Sequence, residues 1–154
     1  MSIYPHPSSN IYEPLGAREF RVLVLEGGTK GTEVCCSLIT RKLEAENELA
    51  VPSYEALSYA WGDPKCTNNI RIGEAKLGVA TNLYVALQYL RSETKPRVLW
   101  IDAICINQTD LPERGQQVRI MDSIYRGAEC VLAWLGERNE SSDAAFHPLK
   151  NGLL

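Results

Sequence analysis

Apolar runs and polar joints alternate along the chain, and their spacing sets out its elements. "FRVLVLE" (Phe20 to Glu26) and "TEVCCSLITRKL" (Thr32 to Leu43) are β-branched runs parted by Gly27-Gly28 and Gly31. That pattern predicts two strands joined by a loose hairpin. "YEALSYAW" (Tyr54 to Trp61) has no strongly polar face, so a strand here is covered on both sides. "IRIGEAKLGV" alternates about Gly73-Glu74 and predicts a small hairpin. "TNLYVALQYLR" sets Leu83, Ala86, Leu87 and Leu90 at helical spacing, with Thr81 as N-cap and Pro96 as a stop. "VLWI" (Val98 to Ile101) and "CVLAWLG" (Cys130 to Gly136) are unbroken apolar runs, the mark of strands buried on both faces. Between them the spacing predicts a helix from Leu111 to about Arg126, with Val118, Met121, Ile124 and Tyr125 inward.

Strand, hairpin, helix, strand, helix, strand is the order from Tyr54 to Leu135. All-apolar strands alternating with helices imply an α/β fold, a parallel sheet flanked by helices. The N-terminal hairpin is expected to add antiparallel strands at the sheet's edge. Residues 1–18, with Pro5, Pro7, Pro14 and Gly16, read as an extended lead-in. The domain itself is expected over 19–140, with a motif core at 54–137 and a C-terminal tail at 141–154.

Composition narrows the function. The chain has 154 residues, 45% hydrophobic and 23% charged, with a formal net charge of −3. No basic field draws it to nucleic acid. No run approaches the roughly 18 apolar residues of a membrane helix, and the N-terminus lacks a basic start followed by an apolar stretch. A cytoplasmic protein with no membrane span is the expectation. Cys35, Cys36, Cys66, Cys105 and Cys130 are odd in number and never spaced C-x-x-C, while His6 and His147 lie near opposite ends. No metal site is expected, and the thiols read as reduced.

"LWIDAICINQTDLPERGQQV" (Leu99 to Val118) holds the densest chemistry, at the joint between a buried strand and a polar helix. In open α/β sheets ligands gather beyond the carboxyl ends of strands. The first strand of the motif core delivers Trp61, Gly62 and Asp63 there, and the second delivers Asp102, Cys105, Asn107 and Gln108. If the strands are neighbours, these side chains line one rim. Trp61 would stack on a base, the amides of Asn107 and Gln108 would meet polar edges, and Asp63 and Asp102 would meet ribose hydroxyls. A nucleotide is thus a candidate ligand. Each residue also has a plain structural role. Asp102 can pair with Arg114 or Arg119, and Asn107 and Gln108 can satisfy loop backbone. Asp110-x-x-Glu113 matches a capping box, with Pro112 in the first turn. No glycine-rich phosphate loop is present, which argues against a kinase or a Rossmann dehydrogenase.

"YEALSYAWGD", "NLYVALQYLR", "LWIDAICINQTDLPERGQQVRIMDSIY" and "VLAWLGE" come in that order from Tyr54 to Glu137. Together they resemble the heterokaryon incompatibility (HET) domain of filamentous fungi, and "YEPLGAREFRVLVLE" is similar to its usual lead-in. The resemblance implies a module of fungal non-self recognition that drives programmed cell death, acting through self-association or protein partners. It implies a flavodoxin-like sheet similar to TIR domains, some of which cleave NAD with a glutamate on the helix after their third strand. On that analogy Glu113 is the candidate catalytic carboxylate and NAD a candidate substrate, with no other cofactor implied. A fixed negative charge there would stabilise an oxocarbenium-like ribose as nicotinamide leaves. Members of the family usually continue past the "WLG" strand, whereas this sequence ends at "FHPLKNGLL".

Overall fold

A computed structural model describes residues 11–43, 53–60, 65, 67–136 and 146–149. Its elements are β1 (Glu19–Leu25), β2 (Cys35–Lys42), β3 (Glu55–Tyr59), β4 (Thr67–Ile72), β5 (Ala75–Ala80), α1 (Thr81–Leu90), β6 (Arg97–Trp100), α2 (Asp102–Cys105), α3 (Leu111–Gly127), β7 (Cys130–Trp134) and β8 (Phe146–Leu149). The strands form one eight-stranded sheet in the order β5-β4-β2-β1-β6-β3-β7-β8. The predicted strands, the helix α1 and the hairpin β4–β5 are all present. Gly73 turns that hairpin at φ 61°, a conformation glycine adopts without steric cost.

The fold is mixed α/β, and two expectations about the sheet are corrected. Among the described residues only β6-β3-β7 forms a run of parallel neighbours, and a short parallel contact joins β2 to β4. Every other pairing is antiparallel. The N-terminal hairpin is not at the edge, because β1 lies between β2 and β6. Phe20, Val22, Leu23 and Leu25 are all buried, so both faces of β1 are covered, as suits a strand inside the sheet.

Register shows how the helices cover the parallel strands. Ala56 aligns with Trp100, and Trp100 meets Tyr125 of α3 edge-on at 5.2 Å. Tyr59 aligns with Trp134, and Trp134 meets Tyr89 of α1 at 5.3 Å. These two sets have opposite parity along β3, so α1 and α3 cover opposite faces. Trp100 and Trp134 both sit in the core, as their apolar surroundings in the sequence predict. Burying side chains of this size stabilises the fold by roughly 1.5–3 kcal/mol each.

The helices differ from expectation in their polar details. Thr81 opens α1 without a side-chain capping bond, and its hydroxyl donates to Asn68 Oδ1 at 2.8 Å. In α3, Ile124 is buried and Met121 and Tyr125 are partly so, but Val118 is 58% exposed. Glu113 and Gln117 point inward instead. The amino half of α3 lies on the polar start of β1, where Gln117 Nε2 donates to Glu19 O at 2.8 Å. The carboxyl half is tied to Tyr54, whose hydroxyl donates to Ile124 O at 2.5 Å. A Cβ on Gly127 would stand 2.9 Å from that hydroxyl, so the close approach requires glycine. Among the described residues no helix is long and apolar enough to cross a membrane.

Candidate functional site

β3 and β6 are parallel neighbours, so the two strand ends singled out in the sequence do share a rim. Trp61, Gly62 and Asp63 lie outside the described residues. On the described side of the rim, β6 ends and α2 begins with Asp102, a half-buried carboxylate. Asp102 Oδ1 accepts the Ala103 N–H at 2.8 Å. Burial holds its carboxyl above the ordinary aspartate range. Burial also raises the Tyr59 and Tyr125 phenols, and the charge of Asp102 adds to both shifts. The charge of Asp102 is thus felt by a tyrosine from the end of β3 and by one from α3.

The amides serve the loop. Gln108 Nε2 donates to Asp102 O at 2.9 Å, which closes the loop across its mouth. Asn107 Oδ1 accepts from the N–H and hydroxyl of Thr109, at 3.3 and 2.8 Å, a local turn of the kind asparagine favours. Across the rim, Asn82 of α1 donates to Ala60 O at 2.7 Å and accepts from Trp134 Nε1 at 2.8 Å, which ties the ends of β3 and β7 together.

Glu113 has a partner that its local sequence does not disclose. Its side chain is 9% exposed and forms a two-pronged ion pair with Arg21 of β1, at 2.6 and 3.1 Å. Glu113 Oε2 also accepts the Asn107 N–H at 2.6 Å. Half of the expected capping box is present, since Asp110 Oδ1 accepts the Glu113 N–H at 3.1 Å. The reciprocal half is replaced, because the Asp110 N–H donates to Asn107 O. Arg21 is 2% exposed and also donates to Cys105 O at 3.0 Å and Glu13 O at 2.6 Å. Tyr12 lies under the guanidinium at 4.9 Å, and its hydroxyl donates to Ile104 O at 2.7 Å. One buried charge thus joins the lead-in, β1, α2 and α3 around the rim loop.

Cys105 is fully buried, its thiol pushed up to about 12 by burial, and it accepts the Ile101 N–H. Its place is in the core. Cys35, Cys36 and Cys130 are free thiols as well, and Cys66 lies outside the described residues. Among the described residues, no three His, Cys, Asp or Glu side chains are placed to hold a metal ion.

Two cavities among the described residues flank β1. One, of about 330 Å³, is lined by Ile11, Glu13, Arg21, Leu38 and Thr40. The other, of about 190 Å³, lies between residues 16–19 and Gln116, Gln117 and Arg119 of α3. Neither has Asp102, Asn107 or Gln108 in its lining. The residues missed in the sequence are Arg21, Tyr12 and Asn82. Arg21 carries a signal that could have found it, as the one charge inside "FRVLVL", where an unpaired cation would be costly.

Residues 54–152 match the sequence model of the family described as Heterokaryon incompatibility protein (HET). The chain belongs to the HET family. It is also 40% identical over 111 residues to Heterokaryon incompatibility protein 6, OR allele, from Neurospora crassa. The match covers 64% of this chain and 16% of that relative, so the chain spans a small part of the relative's length. No solved structure matches the HET chain. The family match begins at Tyr54 and so leaves out β1, although β1 supplies the arginine that holds the rim loop of this HET domain.

Proposed function

We propose that the chain is an effector module of fungal heterokaryon incompatibility, acting in non-self recognition and cell death by self-association in the cytoplasm. The observation that carries this reading is the family match over residues 54–152. The identity to an incompatibility protein of Neurospora crassa supports it. The candidate polar groups described on the rim also fit a protein-interaction module, since Asn107 and Gln108 are engaged with their own loop. The test is expression of the chain in a filamentous fungus from an inducible promoter. Arrested growth with vacuolated, dying compartments is the expected result. Normal growth of cells that accumulate the folded protein would overturn the reading.

A second reading is favoured by the strand order β6-β3-β7, the local winding of flavodoxin-like sheets, with helices on both faces. In such sheets nucleotides bind beyond the strand ends, where Asp102 stands. Under this reading the rim of Trp61, Gly62, Asp63 and Asp102 takes NAD, and the enzyme hydrolyses its nicotinamide–ribose bond, as in a TIR-like domain. Glu113 is the catalytic carboxylate of this reading, and its ion pair with Arg21 has to open for it to act. Release of free nicotinamide from NAD by the purified chain, lost in Asp102→Asn, is the expected outcome. No release at high protein concentration would remove this reading and leave the first intact.

A further inference from the structure

The outward face of α3 carries a charge pattern with an internal symmetry. Arg114, Val118 and Asp122 are four residues apart, so they form a ridge on the helix surface. All three are exposed, Val118 at 58%. Their signs run positive, apolar, negative. Reversed about Val118, the series maps Arg114 onto Asp122. A second copy laid antiparallel on this ridge would therefore meet an opposite charge at both charged positions.

Two neighbouring residues suit the same contact. Leu111, 70% exposed, begins the adjacent ridge, and Gly115 follows it one turn later. A Cβ on Gly115 would meet nothing within 4 Å, so no packing inside the protein calls for glycine there. Glycine weakens a helix interior, but it lets another backbone come close. Asp122 and Arg126 form an exposed ion pair at 2.8 Å within the helix. Such pairs are weak in water and exchange readily for contacts across an interface.

We infer that α3 is the self-association surface, pairing with α3 of a second copy about a two-fold axis through Val118. The inference rests on the proposal that the module acts by self-association, and it names the surface. Helices that interlock along four-residue ridges cross at roughly 50°. The contact is isologous, so it closes as a dimer.

Sedimentation velocity of the purified chain across a concentration series tests this. The expected result is a reversible dimer that weakens with added salt. Arg114→Asp alone and Asp122→Arg alone each set like charges face to face twice, and each should weaken association at least about tenfold. Mixed together, those two variants regain opposite charges at every position and should form a heterodimer. The double variant Arg114→Asp/Asp122→Arg should dimerise with itself, and Val118→Glu should abolish pairing in every mixture. Unchanged thermal melts show that each variant folds. A chain that associates normally despite all these substitutions overturns the assignment to α3 but leaves self-association standing. A chain that stays monomeric at millimolar concentration overturns both.

Discussion

Two buried arginines hold two loops in this protein by different means. Arg21 neutralises a carboxylate, Glu113, and adds two backbone carbonyls, Cys105 O and Glu13 O. Arg91, at 8% exposure, donates to the backbone carbonyls of Thr29, Thr32 and Glu33 and to the Gln88 amide oxygen. Both join segments far apart in sequence; the first ties the lead-in, α2 and α3 to β1, and the second closes the glycine-rich loop after β1. Loss of an ion-pair partner strands a charge in a dry place. Loss of a carbonyl's partner near the surface leaves a group that water can satisfy.

The comparison predicts a graded series. Arg21→Met should destabilise most, by about 3–5 kcal/mol, because Glu113 is left buried and unpaired. Urea unfolding will measure it, and Arg21→Met/Glu113→Met should recover much of the loss. If the double variant is no better than the single one, the charge is not what matters. Arg91→Met should cost about 1–2 kcal/mol, with the loss confined to residues 27–33 in hydrogen exchange. Equal costs for Arg21→Met and Arg91→Met would erase the distinction. Gly28→Ala sharpens it, since the new Cβ would stand 3.0 Å from Arg91 Nη1 and press on the guanidinium. A loss of about 1 kcal/mol is expected, absent when Arg91 is already Met.

Asp102→Asn has the smallest effect and the opposite sign. The carboxyl of Asp102 is held above its unfolded range, so the folded state binds a proton more readily than the unfolded one. Stability from this group is present at low pH and lost as pH rises through the shifted value. The neutral variant should therefore melt slightly higher at pH 7 and no higher at pH 3. A lower melting temperature at neutral pH would mean that the charge is held by a favourable partner.

These contrasts also show what the sequence could express. The apolar runs at β6 and β7 announced parallel strands, and both flank β3, but β7 buries only Leu132 and Trp134 and leaves Val131 and Ala133 partly exposed. The spacing of Leu83, Ala86, Leu87 and Leu90 announced the inner face of α1, and all four are buried. For α3 the same rule failed at Val118, because hydrophobic periodicity assumes an apolar seat. The seat of its amino half is Arg21 and the Glu19 carbonyl, which draw Glu113 and Gln117 inward. The pairing of Arg21 with Glu113 spans 92 residues, beyond any local motif. The burial of both faces of β1 was legible in "FRVLVL", but its pairing with β6 was not, because that partner lies more than 70 residues away. The expectation of an edge strand gave the hairpin too much weight.

The threading of β1 between β2 and β6 bears on how this protein can be cut. A fragment begun at Tyr54, where family likeness starts, would expose the open backbone of β6 and strip Glu113 of its cation. Such a fragment should precipitate or bind strangers along that bare strand. A fragment that keeps this pairing has to begin before Tyr12, whose hydroxyl holds Ile104 O.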